Sequence, residues 1–383
     1  MKNIMFIIGQ LRNGGAERVI SNLCTDLNKE YNITLVVRSL SDADIIYVPD
    51  NVNIIEVKEL SYRFRKIIGI YKIRRLKKKL KIDTSISFHL KYNVYNYLSK
   101  YHDKIVVSVR NYTSMQLDDY TKLQLYIYKK VLKKVDVIVN VSHDVMNDQI
   151  KLFKTDPNKN IVIPNYAELD KINVLKKEPI NLEKIDDKTI LSVGRLCKQK
   201  GVWHLIKAMK KVVEYDNTMK LVIIGRGPLK NDLSNLIYSL GLNNNVFILD
   251  FKNNVYQYMY QAKMFVLTSR YEGMPNVLLE SLACSLPVIA TDSYGGTKEI
   301  LRNKIDNNYV DKVTYTDYGV LIPNFLDDYD LSNQLNPQEE MLADAIIQLM
   351  KDEKKYQKYK KLCLKRCHDF SKEEILSMWK KII

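Results

Sequence analysis

The chain is short of cysteine, of acidic residues relative to basic ones, and of long apolar runs. Its 383 residues include five cysteines, at positions 24, 197, 284, 363 and 367. Cys363, Cys367 and His368 stand close together, but no second ligand pair follows at zinc-site spacing. Free thiols in a reducing cytosol are the simpler reading. No stretch approaches the roughly 18 uncharged apolar residues that a membrane-crossing helix needs. The first apolar run, residues 4–8, ends at Gly9 and is too short for the core of a secretory signal. A cytoplasmic location is therefore expected. Zinc-finger, helix-turn-helix and RNA-recognition strings are missing, which argues against a nucleic-acid partner.

Acids number 44 against 60 Lys and Arg, a formal net charge of +16. Such a surface attracts phosphate-bearing partners of several kinds. The imbalance is sharpest between residues 61 and 82, which hold ten Lys or Arg and no acid. Phe64, Ile67, Ile68, Tyr71, Leu76 and Leu80 are spread through that segment. A basic helix over 63–81 carrying such residues suits an anionic membrane surface. Lys129, Lys130, Lys133 and Lys134 add a second basic stretch. The expected place is peripheral, on the inner face of the cell membrane.

What is present is a pattern that runs twice. The length suggests about two domains, and 46% hydrophobic residues allow a well-filled core. A strand at 4–8, a loop with Gly14 and Gly15, a helix at 16–28 and a strand at 33–37 form a βαβ unit. Further β-branched runs at 85–88, 105–109, 135–141 and 161–163 read as strands covered on both faces. A polar, Lys-rich stretch at 168–188 follows, and then the pattern restarts. Strands are expected at 189–193, 221–224, 246–249, 264–267 and 288–289, with helices at 202–214 and from 229 to about 240. The fold class is therefore α/β, with two Rossmann-like doubly wound domains facing a central cleft. Residues 1–170 form the first and 171–370 the second, and ligands are expected beyond the carboxyl ends of the strands.

Four motifs could carry chemistry. The segment Glu272, Gly273, Met274, Pro275, Asn276, Val277, Leu278, Leu279, Glu280 follows a strand end and leads into a helix. Pro275 suits a helix start, and the N–H groups there, with the helix dipole, form a place for anions. Two carboxylates beside an anion site make sense if they accept hydrogen bonds from sugar and ribose hydroxyls. In the second motif, Arg195 and Lys200 lie on the loop after a strand, ahead of Gly201. A departing diphosphate needs fixed positive charge, with Arg as a fork and Lys as a point charge. Lys198 is a near neighbour, and the position of Gly201 favours Lys200. In the third motif, Gly14, Gly15, Ala16, Glu17 and Arg18 place glycines before a helix, where backbone can approach phosphate. Gly225 and Gly227 form the corresponding turn of the second half, read as mainly structural. The fourth motif combines Ser108, Arg110 and Asn111 with Ser87, Phe88, His89 and Asn93.

Nearly the whole chain, and most strongly residues 190–301, resembles the retaining glycosyltransferases of family 4, which adopt the two-domain GT-B fold. Their E-x7-E motif reads here as Glu272 and Glu280. The resemblance implies that Glu272 contacts the donor sugar, that Glu280 contacts the nucleotide ribose, and that Arg195 and Lys200 grip the diphosphate. It also implies that the amides at Gly15 face that diphosphate and that residues 371–383 return to the first domain. Where many members carry a histidine near the reacting sugar, this chain has Arg110. A subset that builds polysaccharides shows a similar Ser-x-Arg-Asn and Ser-Phe-x4-Asn, which places Arg110, Asn93 and His89 in the acceptor region. Glu299, after Gly295 and Gly296, also matches a family glutamate. The implied activity is transfer of a hexose with retention, from a uridine-based nucleotide sugar to a lipid-linked saccharide, in capsule or O-antigen synthesis.

Two rivals differ in class. A GT-B sugar-nucleotide epimerase would share the fold, and a basic nucleic-acid-binding protein would share the charge. A metal-dependent transferase would use Asp-x-Asp, which occurs at Asp42 and Asp44 and at Asp328 and Asp330. Both pairs lie in polar stretches, so no metal is expected. No cofactor is expected either, the nucleotide sugar being a substrate.

Overall fold

The computed structural model describes the chain apart from residues 13, 41–46, 63, 181–184, 307 and 326–328. Asp42, Asp44 and Asp328 thus lie outside the described residues. The chain forms two compact units, Met1–Asn165 with Glu373–Ile383, and Tyr166–Lys372. The expected boundaries, 170/171 and 370/371, fall within a few residues of these.

The first unit runs β1 (Asn3–Ile8), α1 (Gly15–Leu27), β2 (Asn32–Val37), β3 (Asn53–Glu56), α2 (Lys66–Lys79), β4 (Thr84–Phe88), α3 (Leu90–Leu98), β5 (Lys104–Val109), α4 (Lys122–Leu132), β6 (Val137–Asn140), α5 (His143–Phe153) and β7 (Asn160–Val162). Its sheet has the order β3-β2-β1-β4-β5-β6-β7, parallel throughout. Strands β1, β4 and β5 are buried nearly end to end, as strands covered on both faces must be. The edge strand β3 is not evident in the sequence, because Asn53 and Ile54 face solvent and no apolar run marks it.

The second unit runs α6 (Leu169–Leu175), β8 (Thr189–Val193), α7 (Val202–Tyr215), β9 (Lys220–Ile224), α8 (Lys230–Ser239), β10 (Val246–Leu249), α9 (Tyr256–Gln261), β11 (Met264–Leu267), α10 (Asn276–Ala283), β12 (Val288–Thr291), α11 (Thr297–Leu301), β13 (Thr314–Tyr315), β14 (Val320–Ile322), α12 (Pro337–Lys351) and α13 (Glu353–His368). Its sheet order is β10-β9-β8-β11-β12-β14-β13, with β13 antiparallel. Both sheets are Rossmann-like, and helices connect most of the consecutive parallel strands, as between β1 and β2 and between β8 and β9.

Helix α7 matters because it leaves the loop that carries Arg195 and Lys200. Its apolar face, including Trp203, Ile206 and Met209, lies in the core with Leu342 and Ile346 of α12. A buried polar clamp fixes the same pair of helices. Glu339 of α12 accepts from Lys207 Nζ at 3.0 Å and lies 2.8 Å from His204 Nδ1. Its second role is to close the capping box of α12 with Asn336.

Helix α14 (Lys372–Lys380) belongs with the first unit for most of its length. Trp379 is buried and stacks on Phe88 at 6.5 Å. Lys2 and Thr84 both donate to the Ile383 carbonyl. Among the described residues, no helix is long and apolar enough to cross a membrane.

Candidate active site

In the second unit, two loops beyond the carboxyl ends of β8 and β11 are joined at several points. Lys200 Nζ lies 2.5 Å from Glu272 Oε1. Thr268 donates its hydroxyl to the Lys200 carbonyl at 3.1 Å, and the Arg270 amide donates to the Gln199 carbonyl at 2.8 Å. The Gln199 side chain bridges further, donating to the Tyr271 carbonyl at 2.9 Å and accepting from Arg195 Nη2 at 3.3 Å. Lys198 turns away and sits over the Tyr329 ring. Lys200, not Lys198, therefore meets the glutamate motif. Gln199 escapes sequence reading, because a neutral side chain between two lysines gives no charge signal.

The glutamate loop is backed by a third segment. The Glu272 amide donates to the Tyr294 carbonyl at 2.7 Å, and the Gly296 amide donates to the Gly273 carbonyl at 2.8 Å. Gly295 has φ +110°, and a Cβ there would lie 1.8 Å from the Glu272 carbonyl oxygen. At Gly225 a Cβ would lie 1.8 Å from the Gly194 carbonyl oxygen. Pro275 caps α10, whose first residues are Asn276 and Val277, and Met274 and Glu280 are buried. Glu280 is one turn into the helix. Glu299 is buried in α11, and its carbonyl takes a hydrogen bond from Arg366.

In the first unit, α1 starts at Gly15 with Gly14 as its cap. Glu17 of the same turn lies 3.5 Å from His89 Nε2. His89 itself has φ +68°, a region that side chains rarely adopt, at the junction of β4 and α3. Arg110 donates to Asn165 Oδ1 at 2.6 Å and lies over the Phe88 ring. Its Nη1 is buried without a hydrogen-bond partner among the described residues. Burial pulls its pKa down to about 9, which still leaves it charged at neutral pH.

Two expectations need correction. The first concerns Asn93, placed by the resemblance in the acceptor region, which is buried in the interior of its unit. It is 1% exposed, accepts from Ser87 Oγ at 2.8 Å and donates to Tyr128 OH at 3.4 Å, so its amide is spent inside the unit. Lys77 is no part of the exposed face of the basic helix. Its side chain and that of Asp103 are both 0% exposed and stand 2.8 Å apart. Ser85 Oγ and both oxygens of Asn96 complete the site. The signal was available, since Lys77 follows Ile73 by four residues and shares its inward face. Of the second Asp-x-Asp string, at which no metal is expected, Asp330 accepts from Ser332 and lies 3.3 Å from Lys207 Nζ.

The family profile described as Glycosyltransferase Family 4 matches residues 13–171, and that described as Glycosyl transferases group 1 matches residues 174–340. An uncharacterised glycosyltransferase of Methanocaldococcus jannaschii is 34% identical over 345 residues, covering 85% of this chain and 84% of that one. The chain is a family 4 glycosyltransferase. A second relative of this glycosyltransferase, 31% identical over 312 residues, covers 78% of the chain and 83% of its own. It is the N-acetylgalactosamine-N,N'-diacetylbacillosaminyl-diphospho-undecaprenol 4-alpha-N-acetylgalactosaminyltransferase of Campylobacter jejuni. The enzyme's fold matches that of Anabaena HepE, crystallised with UDP, with a TM-score of 0.77 at 16% identity over 100% of this chain and 99% of that one. The fold is GT-B.

Proposed function

We propose that the enzyme transfers a sugar from a uridine diphosphate donor, with retention, to a hydroxyl of a lipid-linked saccharide in cell-surface polysaccharide synthesis. The observation that carries this reading is the approach of Lys200 to Glu272, with Arg195 tied to the same loop through Gln199. Phosphate-binding cations and a hydroxyl-accepting carboxylate then sit as neighbours, as the diphosphate and the sugar do in the donor. Met274, Pro275, Asn276 and Val277 would line the donor, and Glu280 would take the ribose. Arg195 and Lys200 would supply the charge that stabilises the departing diphosphate, with no metal. Glu272 is committed to sugar hydroxyls in this scheme. Attack on the donor face, assisted by the leaving phosphate, accounts for retention.

The acceptor is assigned to the first unit, near Arg110 and His89. A lipid-linked acceptor agrees with the name of the Campylobacter relative. The expected test is a thermal-shift screen of nucleotide sugars. A true donor at a hundred times its Kd stabilises by about 2.7 kcal/mol. UDP-sugars should raise Tm and purine-linked sugars should not; the reverse ranking would sink the uridine assignment.

The same reading places the enzyme at an anionic membrane surface. Phe64 is 92% exposed and Ile67 80%, with Ile68 and Tyr71 also open to solvent. Arg65, Lys72, Arg74, Arg75, Lys78 and Lys79 are exposed around them. Leu123, Tyr126 and Ile127 of α4 are exposed too, beside Lys130, Lys133 and Lys134. Burying one isoleucine contributes roughly 1.5–3 kcal/mol. Ile67→Asp with Ile68→Asp should therefore reduce co-sedimentation with phosphatidylglycerol vesicles at least about tenfold. Unchanged binding would reduce the helix to plain surface.

A further inference from the structure

The donor reading assigns Lys200 and Glu272 to different parts of one ligand, yet in the structure they hold each other. Their side chains are 16% and 9% exposed. Each is the other's one charged partner among the described residues. An ion pair so poorly hydrated is costly to split unless both groups find replacements, because the group left behind is a buried charge without a partner.

We infer that donor binding exchanges this pair, and that the exchange makes the site favour an intact nucleotide sugar over the spent nucleotide. This rests on the donor reading above. The intact donor brings both replacements: phosphate oxygens for Lys200 and sugar hydroxyls for Glu272. A carboxylate accepts hydrogen bonds, so hydroxyl donors satisfy it as an ammonium does. Free UDP brings only the first. When its phosphate draws Lys200 away, Glu272 is left 7% exposed with nothing to accept from. That cost falls on the product complex and not on the substrate complex. The pair is thus a product-release device built from the binding residues themselves. The surrounding backbone cannot relieve the mismatch. The Glu272 amide and the Lys200 carbonyl are already tied to Tyr294 and Thr268.

The test is UDP affinity by calorimetry for the wild type, Glu272→Gln, Lys200→Met and the double variant, each checked for a cooperative unfolding transition well above the assay temperature. Glu272→Gln should bind UDP about tenfold more tightly than the wild type, a gain of about 1.4 kcal/mol. In the Lys200→Met background the same change should alter affinity by less than about twofold, since no pair remains to be broken. Equal tightening in both backgrounds would mean simple repulsion between carboxylate and phosphate, and would overturn the exchange. So would unchanged or weaker binding by Glu272→Gln. A wild type that binds no UDP at all would overturn the donor reading instead, and this inference with it.

Discussion

Arg195→Ala combined with Lys200→Ala should weaken UDP binding by about 3–6 kcal/mol, taking charged hydrogen bonds at roughly 1.5–3 kcal/mol each. That is a loss of at least about a hundredfold in affinity. The two residues act differently. Arg195 is exposed and presents a planar fork already oriented by Gln199, so it can hold two phosphate oxygens at once. Lys200 is a point charge, half-buried where the loop enters α7. Lys198→Ala is the matched control, because its ammonium is engaged with Tyr329. Calorimetry should place that variant within about twofold of the wild type, since surface cations contribute little. Equal losses for the Lys198 and Lys200 variants would refute the assignment of the diphosphate to this loop.

Asp103→Ala should destabilise the enzyme by about 3–5 kcal/mol, the usual penalty for stranding one member of a buried ion pair. Lys77 would keep Ser85 and Asn96 as hydrogen-bond partners, but no opposite charge. Replacing both members, Lys77→Met with Asp103→Leu, should recover most of that loss, because the pair itself was expensive to bury. Denaturant titration reads both. The pH dependence has a defined sign. Burial lowers the Lys77 pKa from 10.5 to about 8, against the pull of Asp103. Between those values the unfolded chain binds more protons than the folded one, so stability from this group rises with pH. Subtracting the curve of the Lys77→Met variant should isolate a rise from about pH 8 to 10.5. A flat difference, or recovery absent in the double variant, would show that the pair does not act as a buried charge.

The legibility of this chain varies with how local each signal is. Both Rossmann-like sheets could be read because their central strands are continuous apolar runs between glycine loops and helices. β3 and β13 could not, being short edges with exposed residues. The glutamate string and the Arg195 loop are contiguous motifs, so their positions after β11 and β8 follow from the pattern. Their direct contact through Lys200 and Gln199 does not, since 72 residues separate the partners. Asn93 was misread for the opposite reason. A polar residue near a presumed acceptor site looks functional until packing shows that Ser87 and Tyr128 already occupy it. Composition misled at Lys77 as well. A run of three lysines reads as one charged face, although a helix turns the first of them inward while its neighbours stay exposed.

The tight contacts of Gly225 and Gly295 bear on how such an enzyme can change its sugar over generations. Around the Arg195 and Glu272 loops, main chain rests on main chain, and even one added methyl group at either glycine would collide with a carbonyl oxygen. A substitution at either glycine would meet backbone, whereas the side chains that the proposed donor reading sets against the ligand can change without moving main chain. Positions 274, 276 and 277 at the α10 start, assigned above to the donor, are such sites. A combinatorial library that spares the glycines and varies those sites should retain folded members while sampling new donors. One that randomises the loops wholesale would spend its diversity on chains that cannot close.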